Sequence, residues 1–287
     1  MFKKITLKDK SLYYQYIDKN KFLSCEYSFA TLFIRIERKG QLLMNNNEQE
    51  LAEFWDEFAE EYEEIQQESP FPIARELRDF LVQEGIFPCQ TFLDIAGGTG
   101  RYLPFFQEQV TEYTLADISQ RMLEIAEAKA QSNVVFLHQS QERLIETGKK
   151  FQVVFSAMNP ALDTPEKVNA LCQLSEEWCL IFRLVEEQDS LFSPFEQESN
   201  PQLNWMAKYK AFLKKEQRPF FTKKFFFEAS ETISKDFFRS YFEEQWSVPI
   251  LEQRVQEIFG SHEIKQNQRT IIYELIVIPC KKTTSDD

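Results

Sequence analysis

The sequence predicts an α/β fold: a seven-stranded, mostly parallel sheet with helices on both faces. The first observation is the stretch 91–100, TFLDIAGGTG, an apolar strand followed by a glycine-dense turn. The second is an acid, Asp117, which directly follows the next apolar strand. The third is the alternation of short apolar strands with helical patterns between residues 91 and 185, which is typical of βαβ units. In such sheets a ligand binds at the carboxyl ends of the strands, against the start of a helix.

The glycine turn after the first strand predicts a close approach of the backbone to a ligand. The chain has only seven glycines, and three of them, Gly97, Gly98 and Gly100, lie in this turn. Glycine is needed where φ is positive or where another group comes close to the backbone. A dinucleotide fingerprint, G-x-G-x-x-G/A, would also need a small residue at position 103, which is Leu103. The turn therefore departs from the dinucleotide pattern.

The acid Asp94 lies before the glycines, and the string DIAGGTG resembles motif I of class I S-adenosylmethionine (SAM) methyltransferases, D/E-x-G-x-G-x-G. Ala96 takes the place of the first glycine, as is common in the ubiquinone/menaquinone methyltransferase group, which the string also resembles. The resemblance implies a Rossmann-like class I methyltransferase fold that binds SAM. In it Gly97, Gly98 and Gly100 let the backbone approach the cofactor, and Asp94 orients its amino-acid end. The alternative is an ordinary tight turn in a Rossmann-like protein.

Asp117 is the second informative residue. It follows Gly98 by 19 positions, close to the roughly 20 expected for an acid that binds ribose hydroxyls in this class of fold. A carboxylate suits a vicinal diol because it accepts two charge-assisted hydrogen bonds. The string ADISQRMLEIAEAKA resembles methyltransferase motif II, which adds Ile118 and Met122 to the expected cofactor site. Ser119 is predicted to cap the next helix.

The adenine end of the site is less clear, because the sequence departs from the family. After the third strand, HQSQERL has Ser140 and Gln141 where the family often has an acid that bonds the adenine amino group. The fourth strand ends at Ser156, which we expect at the mouth of the cofactor site. The dipeptide Asn159-Pro160 is similar to the N-P-P-aromatic motif of amino-group methyltransferases, but the aromatic residue is missing and the pair is interpreted as a turn.

A helical apolar stripe begins at Leu51 and runs through Trp55 to Tyr62. Packing onto the sheet explains most of such a stripe. The string WDEFAEEYEEI also resembles the W-x-x-x-A-x-x-Y helix that precedes motif I in many small-molecule methyltransferases. That resemblance implies that Tyr62 helps to close the SAM pocket.

Three regions complete the predicted organisation. Residues 1–49 form an N-terminal extension or linker, and its start faintly resembles the first segment of a GNAT-like domain, over too short a span to carry a function. Residues 50–280 form the methyltransferase domain, with an insertion at about 186–247 that is expected to act as a substrate lid. Residues 281–287 are predicted to be a disordered tail.

Composition excludes several classes of protein. The formal net charge of −13 argues against broad binding to nucleic acid or to an anionic membrane. No apolar run approaches the roughly 20 residues of a membrane helix. The five cysteines show no C-x-x-C spacing and indicate free thiols in a reducing cytoplasm. The two histidines make a histidine-rich metal site improbable, so no metal is predicted.

These observations predict a SAM-dependent methyltransferase that acts on a small-molecule acceptor by in-line displacement. No catalytic residue is predicted, because alignment of the acceptor with an activated methyl group can suffice. A non-catalytic SAM-binding or sensing protein is a second hypothesis. It is supported by the departure from the family at Ser140 and by Gln152, which starts the fourth strand where the family usually has Asp. An RNA methyltransferase is a third, because residues 208–224 combine lysines and arginines with aromatic side chains.

Overall fold

The computed structural model describes residues 48–67, 69–195, 201–243 and 245–281, with only the backbone at 201 and 202. The predicted extension therefore lies outside the described residues except for its last two, and so do residues 282–287 of the predicted tail. The described helices are α1 (Glu48–Gln67), α2 (Ile73–Gln83), α3 (Leu103–Phe106), α4 (Gln120–Glu127), α5 (Gln141–Thr147), α6 (Lys167–Leu174), α7 (Trp205–Lys215), α8 (Lys235–Phe242) and α9 (Val248–Phe259). The strands are β1 (Cys89–Ile95), β2 (Val110–Asp117), β3 (Val134–His138), β4 (Phe151–Ala157), β5 (Ser175–Asp189), β6 (Phe221–Ser234) and β7 (Ile264–Pro279).

The strands form one seven-stranded sheet in the order β3-β2-β1-β4-β5-β7-β6. Strands β1 to β5 are parallel to their neighbours, whereas β7 runs antiparallel to both β5 and β6. The order reverses between β1 and β4, and this is the position where open α/β sheets bind their ligands. The predicted fold class is confirmed.

The two faces of the sheet bury separate cores. On one face, α2 and α3 cover an aromatic core that includes Phe92, Phe155 and Phe182. On the other face, α6 and α7 cover a core of branched side chains together with Met206 and Tyr209. Strands buried on both faces read as continuous apolar runs, which is why the central strands were predictable from the sequence.

Three strands are longer than the sequence indicates. β4 ends at Ala157, opposite Phe182 of β5, but β5 continues to Asp189 and stays paired with β7. β6 remains paired with β7 as far as Ser234. The sheet thus has a tongue, formed by the ends of β5, β6 and β7, that extends past the carboxyl end of β4.

The tongue carries a third apolar core, here called the satellite cluster, with α8 and α9. Its buried members are Leu191, Phe192, Ile233, Phe238, Tyr241, Phe242, Leu251, Val255 and Phe259. The predicted insertion at 186–247 therefore contains the ends of regular strands and the crossover helix α7. Its role as a substrate lid stays a prediction.

The aromatic run at 225–227 alternates poorly and suits a strand buried on both faces, but the structure buries it on one face only. Phe225 and Phe227 are buried, whereas Phe226 is 64% exposed. Successive side chains of a strand point to opposite faces, and in the described residues Phe80 and Phe71 cover the face of Phe225 and Phe227.

Candidate functional site

A cavity of about 720 Å³, including space open to solvent, lies at the carboxyl ends of β1, β2 and β4. Its wall combines the glycine turn, the loops after β2, β3 and β4, and one face of α1. The lining residues are Leu51, Trp55, Tyr62, Ala96, Gly98, Asp117, Ile118, Met122, Gln139, Ser140, Gln141, Glu142, Ala157, Met158, Asn159, Pro160 and Ala161.

The glycine turn brings bare backbone to the cavity wall. Gly98 has a φ of 55° and lies under the ring of Tyr62, so a Cβ at this position would contact the Tyr62 ring at 3.5 Å. Ala96 also has a positive φ, of 56°, although it carries a side chain. Non-glycine residues with positive φ are uncommon and cluster at functional sites. The conformation at Ala96 is the one that a glycine would adopt without strain.

Gly97 serves packing rather than the cavity. A Cβ on Gly97 would lie 2.7 Å from Cγ of Leu115 and 3.0 Å from the carboxyl carbon of Asp94. Only a residue without a side chain therefore allows β1 and β2 to approach at this level.

Asp117 lies at the end of β2 and points toward the glycine turn. Its Oδ2 accepts a hydrogen bond from the backbone N–H of Gly98 at 2.8 Å, and its Oδ1 accepts one from Ser119 at 2.9 Å. Burial raises the pKa of Asp117, and the two N–H donors oppose that rise. Each carboxylate oxygen keeps a second lone pair, so the group can still accept hydrogen bonds from a ligand in the cavity.

Asp94 faces the interior beside the cavity. It is 1% exposed, and its Oδ2 accepts the hydroxyl proton of Tyr113 at 2.7 Å. Burial raises the pKa of Asp94 to about 7; the Tyr113 hydrogen bond lowers it, and the nearby charge of Asp117 raises it further. The side chain thus bonds β1 to Tyr113 of β2 and lies against Gly97 of the glycine turn.

At the far end of the cavity, the structure adds a residue that the sequence analysis missed. Ser140 caps α5, because its Oγ accepts a hydrogen bond from the backbone N–H of Arg143 at 3.4 Å. Gln141 is bonded to the loop after β4, because its Oε1 accepts a hydrogen bond from the side-chain amide of Asn159. Gln139 lines the cavity and has a buried Oε1 with no hydrogen-bond partner in the structure. A buried amide oxygen without a donor in the protein can accept a hydrogen bond from water or from a ligand.

Helix α1 covers the cavity with one face. Leu51, Trp55 and Tyr62 all line it, and they share that face because they follow helical spacing. The Trp55 and Tyr62 rings pack edge to face with centroids 6.2 Å apart. The apolar stripe of this helix was visible in the sequence, but the sequence did not show that the stripe covers the cavity.

The opposite edge of α1 is anchored to α4 by polar contacts. Asp56 Oδ1 accepts from the hydroxyl of Ser119 at 2.6 Å and from the backbone N–H of Arg121 at 2.9 Å. The carboxylate of Asp56 thereby reaches the positive N-terminus of α4, where an acid is stabilising. Glu60 forms an exposed ion pair with Arg121.

About one turn after Glu60 on α1, Glu63 makes the third polar contact that anchors this helix, with Lys129 as its partner. Lys129 Nζ donates to the carboxylate of Glu63 at 2.6 Å and to the backbone carbonyl of Thr99 at 2.9 Å. Burial alone would raise the pKa of Glu63, but the Lys129 contact helps to hold it below its usual value. Because Thr99 belongs to the glycine turn, Lys129, two residues past the end of α4, joins α1 to that turn.

The dipeptide Asn159-Pro160 forms a turn at the cavity wall. The Asn159 amide donates to Gln141 Oε1 at 2.8 Å and to Ser156 Oγ at 3.1 Å, and its Oδ1 accepts from the Ala161 N–H at 2.9 Å. Arg183 Nη1 donates to the Asn159 carbonyl. The side chain is thus occupied inside the loop, in line with the predicted turn.

Of the twelve residues predicted for the cofactor, eight lie on the cavity wall: Tyr62, Ala96, Gly98, Asp117, Ile118, Met122, Ser140 and Gln141. The structure places the other four behind the wall: Asp94, Gly97, Gly100 and Ser156. Ser156 is 1% exposed and accepts from Asn159, as described above. Among the described residues, no group of histidines, cysteines and acids is arranged to hold a metal ion.

A reversed β7 between β5 and β6 of an otherwise parallel sheet, with a glycine turn and an acid at the ends of β1 and β2, is typical of the class I methyltransferase fold. Residues 92–176, under half of the chain, match a family model described as a methyltransferase domain. Residues 92–176 therefore carry a methyltransferase domain, whose cofactor is S-adenosylmethionine. No curated protein sequence matches the chain.

Solved methyltransferases share the fold at low sequence identity. Magnesium protoporphyrin IX methyltransferase from Synechocystis PCC 6803, with bound SAH, is 14% identical, with 74% of this chain and 82% of that chain covered and a TM-score of 0.43. Precorrin-6y C5,15-methyltransferase from Geobacter metallireducens GS-15 is 10% identical, with 69% and 88% covered and a TM-score of 0.41. At such scores, these likenesses carry no argument about the acceptor.

No helix in the described part of the chain has both the length and the apolar character needed to cross a membrane.

Proposed function

We propose that this methyltransferase transfers the methyl group of SAM to a small-molecule acceptor by direct displacement. The observation that supports the small acceptor is the charge of the cavity wall. Among its described lining residues, Asp117 and Glu142 are the charged ones, and both are acids. Polynucleotides are bound mainly through lysines and arginines that contact their phosphates. A mostly apolar and neutral wall with two acids, covered by α1, suits an uncharged or cationic small molecule.

The acceptors and apolar side chains of the cavity wall favour one orientation of the bound SAM. Asp117 accepts from the ribose hydroxyls, since it faces the cavity and a carboxylate matches a vicinal diol. Gln139 Oε1 accepts from the adenine amino group, which would satisfy its buried and partnerless oxygen. Ile118 and Met122 supply apolar wall for the adenine ring. The amino-acid end lies along the backbone at Gly98.

When bound, SAM supplies a methyl group on a positively charged sulfur that is already activated as a leaving group. The protein then has to align the acceptor, because transfer needs the reacting atoms about 3–3.5 Å apart and in line. Leu51, Trp55 and Tyr62 close the cavity from above and exclude water from the reacting centre. A general base is needed only for an acceptor atom that starts protonated.

The acceptor would enter between the cavity and the tongue. The loop 157–161 forms the cavity wall nearest to β5, and the tongue rises beside it on β5, β6 and β7. Its satellite cluster gives the tongue an aromatic body. This arrangement supports the predicted lid role for part of the insertion at 186–247.

The basic stretch at 208–224 gives little support to an RNA acceptor, because none of its described residues lines the cavity. Two of its cations are held within the protein. Lys210 contacts both carboxylate oxygens of Glu274 at 2.8 Å, and Arg218 donates to the side chain of Asn169. The cytoplasmic location expected from the cysteines stays a prediction.

The proposal can be tested by incubating the protein with methyl-labelled SAM and a fractionated cell extract. We expect label to enter the low-molecular-mass fraction, with equimolar formation of S-adenosylhomocysteine. The Asp117→Ala variant is the matched control and should lose this transfer. Label found only in the RNA fraction or only in the protein fraction would overturn the small-molecule assignment.

A further inference from the structure

Strand β6 forms one edge of the sheet. In the described residues it pairs on one side only, with β7, over its whole length from Phe221 to Ser234. Its other side therefore presents a row of backbone N–H and C=O groups. Such an edge is a template for pairing with another strand.

β6 lacks most of the devices that usually protect an edge. It has 14 residues and contains no proline, and its register with β7 runs without a shift from one end to the other. Proteins commonly blunt an edge with short strands, proline, bulges or charges. Here lysines stand at 223 and 224, but the adjacent Phe226 leaves 64% of its surface exposed on the open face.

We propose that β6 is the dimer interface of this protein, pairing antiparallel with β6 of a second copy around a two-fold axis at Phe226. In that register Phe226 faces its own counterpart. Lys224 faces Glu228 of the other copy, and the same pair repeats on the other side of the axis. Opposite charges and aromatic pairs directly across a ladder are the contacts that stabilise antiparallel strands.

The sequence of β6 favours this register over its neighbours. Two residues directly opposite each other on antiparallel strands have their side chains on the same face of the sheet. The two-fold axis must therefore pass through a residue and not between two residues, so neighbouring registers differ by one residue in the position of the axis. An axis at Phe225 would place Phe226 opposite Lys224, and an axis at Phe227 would place it opposite Glu228. Of these three axes, only the one at Phe226 places Lys224 opposite Glu228 and also places Phe226 opposite its own counterpart.

The charged partners are available for this pairing. Lys224 stands opposite Glu274 of β7 within its own chain, but Lys210 already holds both oxygens of that carboxylate. Glu228 stands opposite Thr270, which carries no charge. Lys224 and Glu228 of one copy are four residues apart on a strand, about 13 Å, and cannot pair with each other. The covered face of β6 is not disturbed, because Phe80 and Phe71 of each copy already pack on Phe225 and Phe227.

The first experiment measures the mass of the full-length protein by sedimentation over a concentration series. We expect a dimer for the wild type, and a shift of at least tenfold in the dissociation constant toward monomer for Glu228→Lys, which would create two Lys–Lys contacts. Glu146→Lys makes the same change of net charge on α5 and should leave the dimer intact. Thermal unfolding of each variant checks that the fold is retained.

The second experiment tests the register by mild oxidation. Phe226→Cys should form a disulfide-linked dimer, because residues directly opposite on antiparallel strands have Cα separations of about 4.5–5.5 Å, within the range for a disulfide. Ser230→Cys alone should not, since its counterpart would lie about 26 Å away. A mixture of Ser230→Cys with Thr222→Cys should cross-link, because these two positions face each other. The wild type, with its own cysteines, sets the background.

A monomeric wild type at every concentration would overturn the proposal, whether the edge stays open or is covered by another part of the same chain. A dimer that Glu228→Lys leaves unchanged, or cross-linking of Ser230→Cys alone at the level of Phe226→Cys, would also overturn it. The interface does not depend on the proposed acceptor, so neither result bears on the other.

Discussion

The carboxylate of Asp117 accepts a hydrogen bond from the backbone N–H of Gly98 at 2.8 Å, which ties the end of β2 to the glycine turn after β1. The two residues that the sequence singled out are therefore one structural unit. The carboxylate fixes the turn and faces the cavity at the same time. Its replacement should affect both the shape of the turn and the binding of a ligand.

We expect Asp117→Ala to weaken the binding of S-adenosylhomocysteine by an order of magnitude or more, because a charge-assisted hydrogen bond contributes about 1.5–3 kcal/mol. Isothermal titration calorimetry measures the change. Asp79→Ala, on the exposed surface of α2, is the control and should bind like the wild type. An unchanged affinity in Asp117→Ala would remove this residue from the cofactor site.

For Gln139→Leu we expect effects of opposite sign on stability and binding. The free protein should become more stable, by up to about 1–3 kcal/mol, because a buried acceptor without a donor is removed. Affinity for S-adenosylhomocysteine should fall about tenfold, because the adenine amino group would lose its acceptor. Denaturant unfolding and calorimetry measure the two quantities, with Gln141→Leu for comparison. A loss of stability with unchanged binding would show a structural role instead.

Removing the Asp56 carboxylate should loosen α1. Asp56→Ala leaves the Ser119 hydroxyl and the Arg121 N–H without their acceptor, which costs about 1–3 kcal/mol. Amide hydrogen exchange should become faster in α1 while the central strands keep their protection, and cofactor affinity should fall with the loss of cover. Glu53→Ala, on the exposed face of α1, is the matched control. Uniform exchange in both variants would contradict the anchoring role.

Asp94 predicts a pH dependence of stability. Its pKa is about 7 in the folded protein, against an ordinary value of 3.8, because burial disfavours the charge. Between these two values the folded state holds a proton that the unfolded state has released, so the free energy of unfolding falls as the pH rises. The slope is at most about 1.4 kcal/mol per pH unit.

The isosteric variant Asp94→Asn cannot ionise and should flatten this slope between pH 4 and 7. Urea unfolding at several pH values gives the comparison, with Asp79→Asn as a surface control. A slope that persists unchanged in Asp94→Asn would assign the pH dependence to other groups, of which Asp117 is the nearest, since burial raises its pKa too.

The central sheet was predictable because its information is local. Strands buried on both faces are short apolar runs, which stand out in the sequence. The ends of β5 and β7 were missed because they carry polar side chains such as Glu187 and Arg269. Glu187 and Arg269 form an ion pair at 2.8 Å across the tongue. A contact between segments so far apart in the chain cannot be predicted from a local pattern.

The cavity was predictable only in part. Gly98 and Asp117 could be identified because a strand–turn–helix unit places them by spacing alone. Ser140 and Gln141 were the predicted adenine contacts, and that role stays a prediction; both line the cavity, and so does Gln139, which the sequence analysis did not name. Which of two adjacent side chains faces a cavity depends on the direction in which the loop leaves the strand.

The sequence by itself determined the class of fold and two lining residues of the cavity, Gly98 and Asp117, since the strand–turn–helix unit that places them is a local pattern. The tertiary structure decided which side chains line the cavity, that α1 covers it, and that β6 is an edge with an exposed Phe226. Those features depend on contacts between segments far apart in the chain. Side-chain direction and burial are properties of the packed molecule, and spacing along the chain does not contain them.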